Sequence, residues 1–416
     1  MRLPLSLALG AGLVAGLVAV PGIAAADLGL GPAEQVSAPG ISSGTPRLAA
    51  GADGQAWAAF TAIDASTGKS TVQVAERRGE LGWSAPTILS RRGVDANAPT
   101  IAANSVGDVC VTWVEESWAH QRLQASCHAG ADWTTATAMG PLAARIDEVA
   151  LSVADSGNAV VAFTVVSTNL SSVLLHAAHS AEGRWSTSSA IDVAAAEVDA
   201  IGDVHVALTD DDVAGVVWRR DERVLSSTVG PTGVWAPAEV EYAGSATAVA
   251  TGSTADRAVV AWAADGEVTM MDLGPNPAAH TTVSWSADLT RLALVPMDSG
   301  AVLFATDNDG FVRAMAVDAE GVASPLDLGA ASQGLVLRGS GTFIDVALLD
   351  DSNGIALTTL VASAFPFVDE MSVVSLDSSA EVAFSDSQAL IMWVDGDSPA
   401  SVLAAPTVED LSEFVR

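Results

Sequence analysis

Five tryptophans, Trp83, Trp133, Trp185, Trp235 and Trp285, recur at steps of 50, 52, 50 and 50 residues. Their contexts repeat too, as in GWSAPTIL from Gly82 and VWAPAEV from Val234. A chain that repeats at an interval of roughly 40–50 residues builds one small unit many times, which points to propellers or helical arrays. A second signal runs in phase with the first. A Gly leads by six positions to an aromatic residue, from Gly54 to Phe60, Gly107 to Trp113 and Gly157 to Phe163. Later copies replace the Gly by a polar residue, pairing Asp212 with Trp218, Asp256 with Trp262, Asp298 with Phe304 and Ser387 with Trp393. The segments between alternate with period two, which selects strands over helices.

Four strands are expected per unit. In unit two they fall near Thr100–Ala103, Asp108–Glu115, Arg122–His128 and Trp133–Met139. One such sheet cannot bury both its faces alone, so units must stack, with the Trp and Phe residues as wedges between them. The anchors alone give seven units. The interval from Phe304 to Trp393 is too long for one, and GIALTTLVA from Gly354, with MSVVSLD from Met371 as its outer strand, supplies another. The expected fold is all-β, a single β-propeller of seven or eight four-stranded blades, with eight the better fit.

The two ends bear on location and closure. Arg2, the apolar run Leu3–Val20, the breakers Pro21 and Gly22, and Ala24-Ala25-Ala26 read as a signal peptide over residues 1–26. No second long apolar run follows, so no transmembrane anchor is expected after cleavage. The propeller should then span 27–408, followed by a short tail over 409–416. The last unit offers strands at Ala380–Phe384, Ala389–Val394 and Ser401–Ala404 but lacks the unit-ending Trp pattern. That piece stands at the other end of the chain, where GLGPAEQV from Gly29 matches VWAPAEV from Val234. Residues 30–36 are expected to pair antiparallel with the Ser401 strand and cover the open edge of the last blade.

Composition narrows the partners. The formal charge is −32, with 50 acidic against 18 basic residues, and Lys69 is the sole lysine. Nucleic acid and anionic membrane, which need clustered Lys and Arg, are excluded as expected partners of this acidic protein. The two cysteines, Cys110 and Cys127, fall on adjacent strands of unit two, around a turn centred on Trp118–Ala119. Export permits a disulfide between them, and the register places them opposite each other.

The strand from Asp53 to Phe60, followed by Gly82–Pro86, resembles the tandem-repeat propellers of exported bacterial proteins, many distantly sialidase-like. The resemblance covers about residues 30–405 and implies a fold. It does not extend to chemistry. The Ser-x-Asp-x-Gly-x-x-Trp turn box of sialidases is missing, the single tyrosine is Tyr242 between units four and five, and the arginine pairs do not recur on inner strands.

No catalytic constellation is assigned. His176 and His179 lie three apart on a strand and should face opposite ways, partly exposed, with no shared zinc. The acidic turn Thr306–Gly310 makes Asp307 and Asp309 the candidate calcium ligands, although no twelve-residue calcium loop is present. Trp118, in EESWAHQR, lies off the periodic positions and is the candidate exposed ligand-binding residue. The expected function is a secreted, monomeric binding or scaffold module at or outside the cell surface, acting on glycan, protein or peptide without a cofactor. The alternative is a glycan-acting hydrolase or lyase, with carboxylates and arginines gathered at the mouth of the central channel.

Overall fold

The computed structural model describes residues 25–27, 32–38, 43–51, 55–79, 82–129, 132–181, 184–195, 201–229, 233–273, 280–285, 289–297, 300–318, 321–322, 325–331, 334–340, 343–349, 354–361, 371–375, 380–384, 389–395 and 401–406. Among these residues the strands form eight sheets in succession along the chain. Blade one runs Ser43–Ala50, Gln55–Ile63, Ser70–Arg78 and Thr87–Ile88. Blade two runs Asp95–Ala103, Val109–Ser117 and His120–Ala129, with an outer edge split into Asp132–Trp133 and Thr137–Ala143. Blade three, from Arg145 to Ala195, repeats that split. Blades four, five and six begin at Gly202, Ala246 and Leu289. The degenerate unit is blade seven, in which Gly354–Val361 pairs antiparallel with Met371–Ser375.

The split outer edge differs from the single expected strand for a chemical reason. The residue after each of the first three periodic tryptophans is Ser84, Thr134 or Ser186, and its hydroxyl accepts the backbone N–H of Glu76, Cys127 or His179 respectively. A side chain thus takes the place of a ladder carbonyl, and backbone pairing resumes further on.

Second strands are covered on both faces. Ala159–Val166 is buried along its whole length, and Phe60, Trp113, Phe163, Trp218, Trp262 and Phe304 all lie in the core. Apolar clusters fill every interface round the ring. Examples are Val72 of blade one with Trp113 of blade two, Leu123 with Phe163, Leu175 with Trp218, and Ala347 with Ile391. The ring closes where Ala58 and Phe60 of blade one meet Leu390, Met392 and Ala404 of blade eight. The protein is therefore a β-propeller, and the first strands of neighbouring blades run side by side round the axis.

Blade eight is made of Ala380–Phe384, Ala389–Asp395 and Ser401–Pro406, with Glu34–Gln35 as its outer strand. Glu34 stands opposite Ala404 and Gln35 opposite Leu403, antiparallel. Val36, 1% exposed, belongs to the closing core, and Arg77 of blade one reaches Glu34 at 3.6 Å. Leu30 of the expected strand lies outside the described residues. Upstream, Ala25–Asp27 runs parallel to Met371–Ser375 on the edge of blade seven, across the bond that the sequence marks for cleavage.

The two ends of the ring are pinned by polar links between blades. On the side of the first turns, Ser105 N–H bonds Asp155 (2.9 Å), Asp155 N–H bonds Asp210 (2.8 Å), and Asp210 N–H bonds the Ala255 carbonyl (2.7 Å). On the opposite side, Asp95 accepts from Lys69 and Ser70, Gln121 accepts from Ile146 N–H, and Glu222 accepts from Ser245. That second side carries the hairpins between second and third strands.

Cys110 and Cys127 are paired across blade two and joined by a disulfide, with Cα atoms 4.0 Å apart. The bridged loop is short, so replacing both by Ser should cost about 3 kcal/mol in urea unfolding. Unfolding at the wild-type midpoint, with an unchanged slope, would show that the bridge does not restrain the unfolded chain.

Candidate functional site: the hairpin rim

Trp118 opens the two-residue turn between Val109–Ser117 and His120–Ala129, where Ser117 pairs with His120. It is fully exposed and has φ +58°. Left-handed backbone costs an ordinary L-residue about 1–2 kcal/mol, and turns normally place Gly, Asn or Asp there. The two-residue hairpins of blades four and five follow that rule, with Asp221 (φ +49°) and Asp265 (φ +52°) at the same place. Blade two puts the largest side chain where its sister blades put a small polar one.

A cleft of about 440 Å³ lies beside the indole, lined by Lys69, Val94, Asp95, Glu116 and Ser117. Its charges are ordered. Lys69 Nζ sits 2.6 Å from Asp95 Oδ2, and the hydrogen bond from Lys69 holds the Asp95 carboxyl below its ordinary value of 3.8. Glu116 accepts from Asn97 at 3.0 Å and from Gln121 at 2.9 Å.

The rim divides into two sectors. Over blades one to three it exposes Ile63, Trp118, Leu142 and Leu170, the last again left-handed at φ +57°. Over blades four to six its hairpins present Asp221, Glu222, Asp265 and Asp309, all exposed. Leu170 was missed by the sequence reading, yet it carries the same signal as Trp118: one large apolar residue inside an otherwise polar turn, here STNLSS.

The other candidates fall elsewhere. Asp307 Oδ1 accepts the N–H groups of Asp309 (3.0 Å) and Phe311 (2.9 Å), so its carboxylate shapes its own turn. Among the described residues no three His, Cys, Asp or Glu side chains gather as a metal-binding group. His176 and His179 are both buried, which corrects the expectation of partial exposure. They do lie on one strand, opposite Phe163 and Val160, but stacked blades cover that strand on both faces.

The carboxylates near the hairpin-side ends of the first strands are already engaged. Glu381 pairs with Arg47 across blades eight and one, Asp203 pairs with Arg219, and Glu148 accepts the Val204 N–H at 2.9 Å. Burial pushes the Glu148 carboxyl above its ordinary 4.5, and the neighbouring charges of Asp203 and Asp147 add to it.

No protein-family model matches the chain, and no curated protein matches it. Solved structures do. A prolyl endopeptidase superposes with a TM-score of 0.50 at 12% identity, covering 86% of this chain and 55% of that one. The Dos1 propeller superposes with a TM-score of 0.50 at 9% identity, covering 92% and 95%. A Trypanosoma rangeli sialidase gives 0.41 at 11% identity, covering 90% and 56%. The chain spans about half the length of the endopeptidase and of the sialidase. At such identities the likeness to the endopeptidase and to the Dos1 propeller is one of fold alone, in keeping with the β-propeller that the sheets form.

Proposed function

We propose that this chain is an exported binding module that engages glycan, protein or peptide through the hairpin rim of blades one to three, with Trp118 as its central contact. The observation that carries the reading is the conformation of Trp118. A bulky residue held left-handed and bare to solvent costs the fold stability and returns no packing, so the position is better explained by contact with a partner. An indole flanked by a fixed Lys–Asp pair offers a flat apolar platform and directional polar groups within one cleft, the usual make-up of a recognition surface. Export is supported by the apolar N-terminal run with its small-residue end, and by a disulfide in a chain with two cysteines. Among the described residues no helix is long and apolar enough to cross a membrane.

The test is a glycan and peptide array probed with the mature chain and with Trp118→Ala, which removes the indole and keeps the Cβ, so the turn is left as it is. Binding that falls at least tenfold in the variant supports the rim as the contact surface. Equal binding by both proteins would move the site elsewhere, and turnover of a glycan abolished by Glu148→Gln would replace the module by an enzyme.

A further inference from the structure

His176 and His179 stand on the third strand of blade three, Ser172–Ala181. Each is 8% exposed. Three residues apart on a strand, they point to opposite faces. His176 lies opposite Phe163 and stacks on it with centroids 5.7 Å apart. Phe163 packs with Val114 and Leu123 of blade two. His179 lies opposite Val160, which packs with Leu208, Ala214 and Val229 of blade four. Blade three therefore buries one imidazole against each neighbour.

Neither ring is provided for as a cation. The Nε2 atoms of both are buried with no hydrogen-bond partner. His176 Nδ1 lies 3.3 Å from Ser188 Oγ, a contact that a neutral ring makes as well as a charged one. Beside His176, the cleft between blades two and three is lined by Arg122 and by no Asp or Glu. Facing His179, Asp212 of blade four favours the charged ring, but burial outweighs it. That carboxylate already accepts from the Asn158 amide. Burial holds both imidazoles below their ordinary 6.5. Protonation in place would bury a charged N–H with no acceptor, a cost that opening to water removes.

The repeat shows that blade packing does not require these groups. Gln73, Gln124, Leu225, Thr269 and Ala314 take the place of His176 in blades one, two, four, five and six. Thr228 takes the place of His179 in blade four.

We propose that blade three is an acid-sensitive element of the ring: below about pH 6 its two histidines take up protons only as the blade loosens from blades two and four. Above 6.5 both rings are neutral, whether the blade is closed or open. As pH falls through that value, the opened blade gains protons that the closed blade refuses, so closure weakens. Glu148, on the first strand of the blade, works the other way, because burial holds its carboxyl above its ordinary 4.5. His205 of blade four lies opposite Val217, in the core shared with blade five, and so faces away from blade three. The hairpin with Leu170 joins the second and third strands of blade three. The rim proposed above would slacken with them, although the acid response does not depend on that reading.

Hydrogen exchange on the chain from residue 27 onward, at about pH 7.5 and about pH 5.5, tests it, with rates taken relative to an unfolded peptide at the same pH. An imidazole freed to water about one unit below its ordinary value favours the open form about tenfold. The amides of Ala159–Val166 and Ser172–Ala181 should therefore lose at least tenfold in protection at the lower pH. Those of Gly300–Asp307 in blade six, which has no histidine, should keep theirs. A double variant, His176→Gln with His179→Thr, installs residues that sister blades carry at the same places and should keep its protection in blade three. Equal loss in blades three and six would overturn the inference, and so would no loss in the wild type. Neither of these outcomes needs a variant. A double variant that loses as much as the wild type would also overturn it.

Discussion

Removing residues 27–38 from a chain that starts at residue 27 is expected to lower its Tm by about 5–10 °C and to make it self-associate. The deletion strips blade eight of its outer strand, Glu34–Gln35, and with it Val36 from the core that joins blades eight and one. Burying one valine contributes about 1.5–3 kcal/mol, and each lost strand hydrogen bond about 1 kcal/mol. A total near 4 kcal/mol corresponds to this shift at roughly 2 °C per kcal/mol for a large domain. The second consequence is chemical. Ser401–Pro406 becomes an open edge, with unpaired N–H and C=O groups that template pairing with another chain. Removing residues 408–416 should change neither property. An N-terminal deletion that melts with the chain starting at residue 27 would mean that the ring is held by blade packing alone.

Asp192→Ala should destabilise the protein by about 3–5 kcal/mol, the range for removing one member of a buried charged pair. Asp192 sits on the outer strand of blade three, 8% exposed. Its Oδ2 accepts from Trp218 Nε1 at 2.7 Å, and its Oδ1 pairs with Arg220, both residues belonging to the second strand of blade four. The truncation leaves an indole N–H buried without an acceptor and a half-buried guanidinium without its counterion. Asp192→Asn keeps an acceptor for the indole and should cost less. Chemical denaturation measures both. A midpoint for the alanine variant within error of the wild type would show that packing alone joins these two blades.

Much of the fold was legible because the repeat imposes one solution many times. The aromatic anchors, the presence of three consecutive strands in blade eight, the degenerate blade seven and the facing cysteines all follow from the phase of a pattern. Other features escaped because they depend on what a neighbouring blade brings. Period two tells which face of a strand a histidine occupies, and in a propeller both faces of that strand are covered, so His176 and His179 are buried. The links from Ser105 to Asp155 and from Asp155 to Asp210 use residues that look like ordinary turn formers. Asp192 carries no signal in its own sequence neighbourhood, because its partners lie 26 and 28 residues further on. Trp118 was visible as an aromatic off the period. Its left-handed backbone was not, and that is what separates it from a residue merely tolerated on a loop.

The ring is closed by its own N-terminal segment, and backbone hydrogen exchange on the chain from residue 27 onward tests that closure most directly. The amides of residues 34–36 should exchange slowly and together with those of Ser401–Pro406, because the two strands share one ladder and open as one unit. Exchange at residues 34–36 as fast as in an unstructured peptide, while Ser401–Pro406 stays protected, would contradict it.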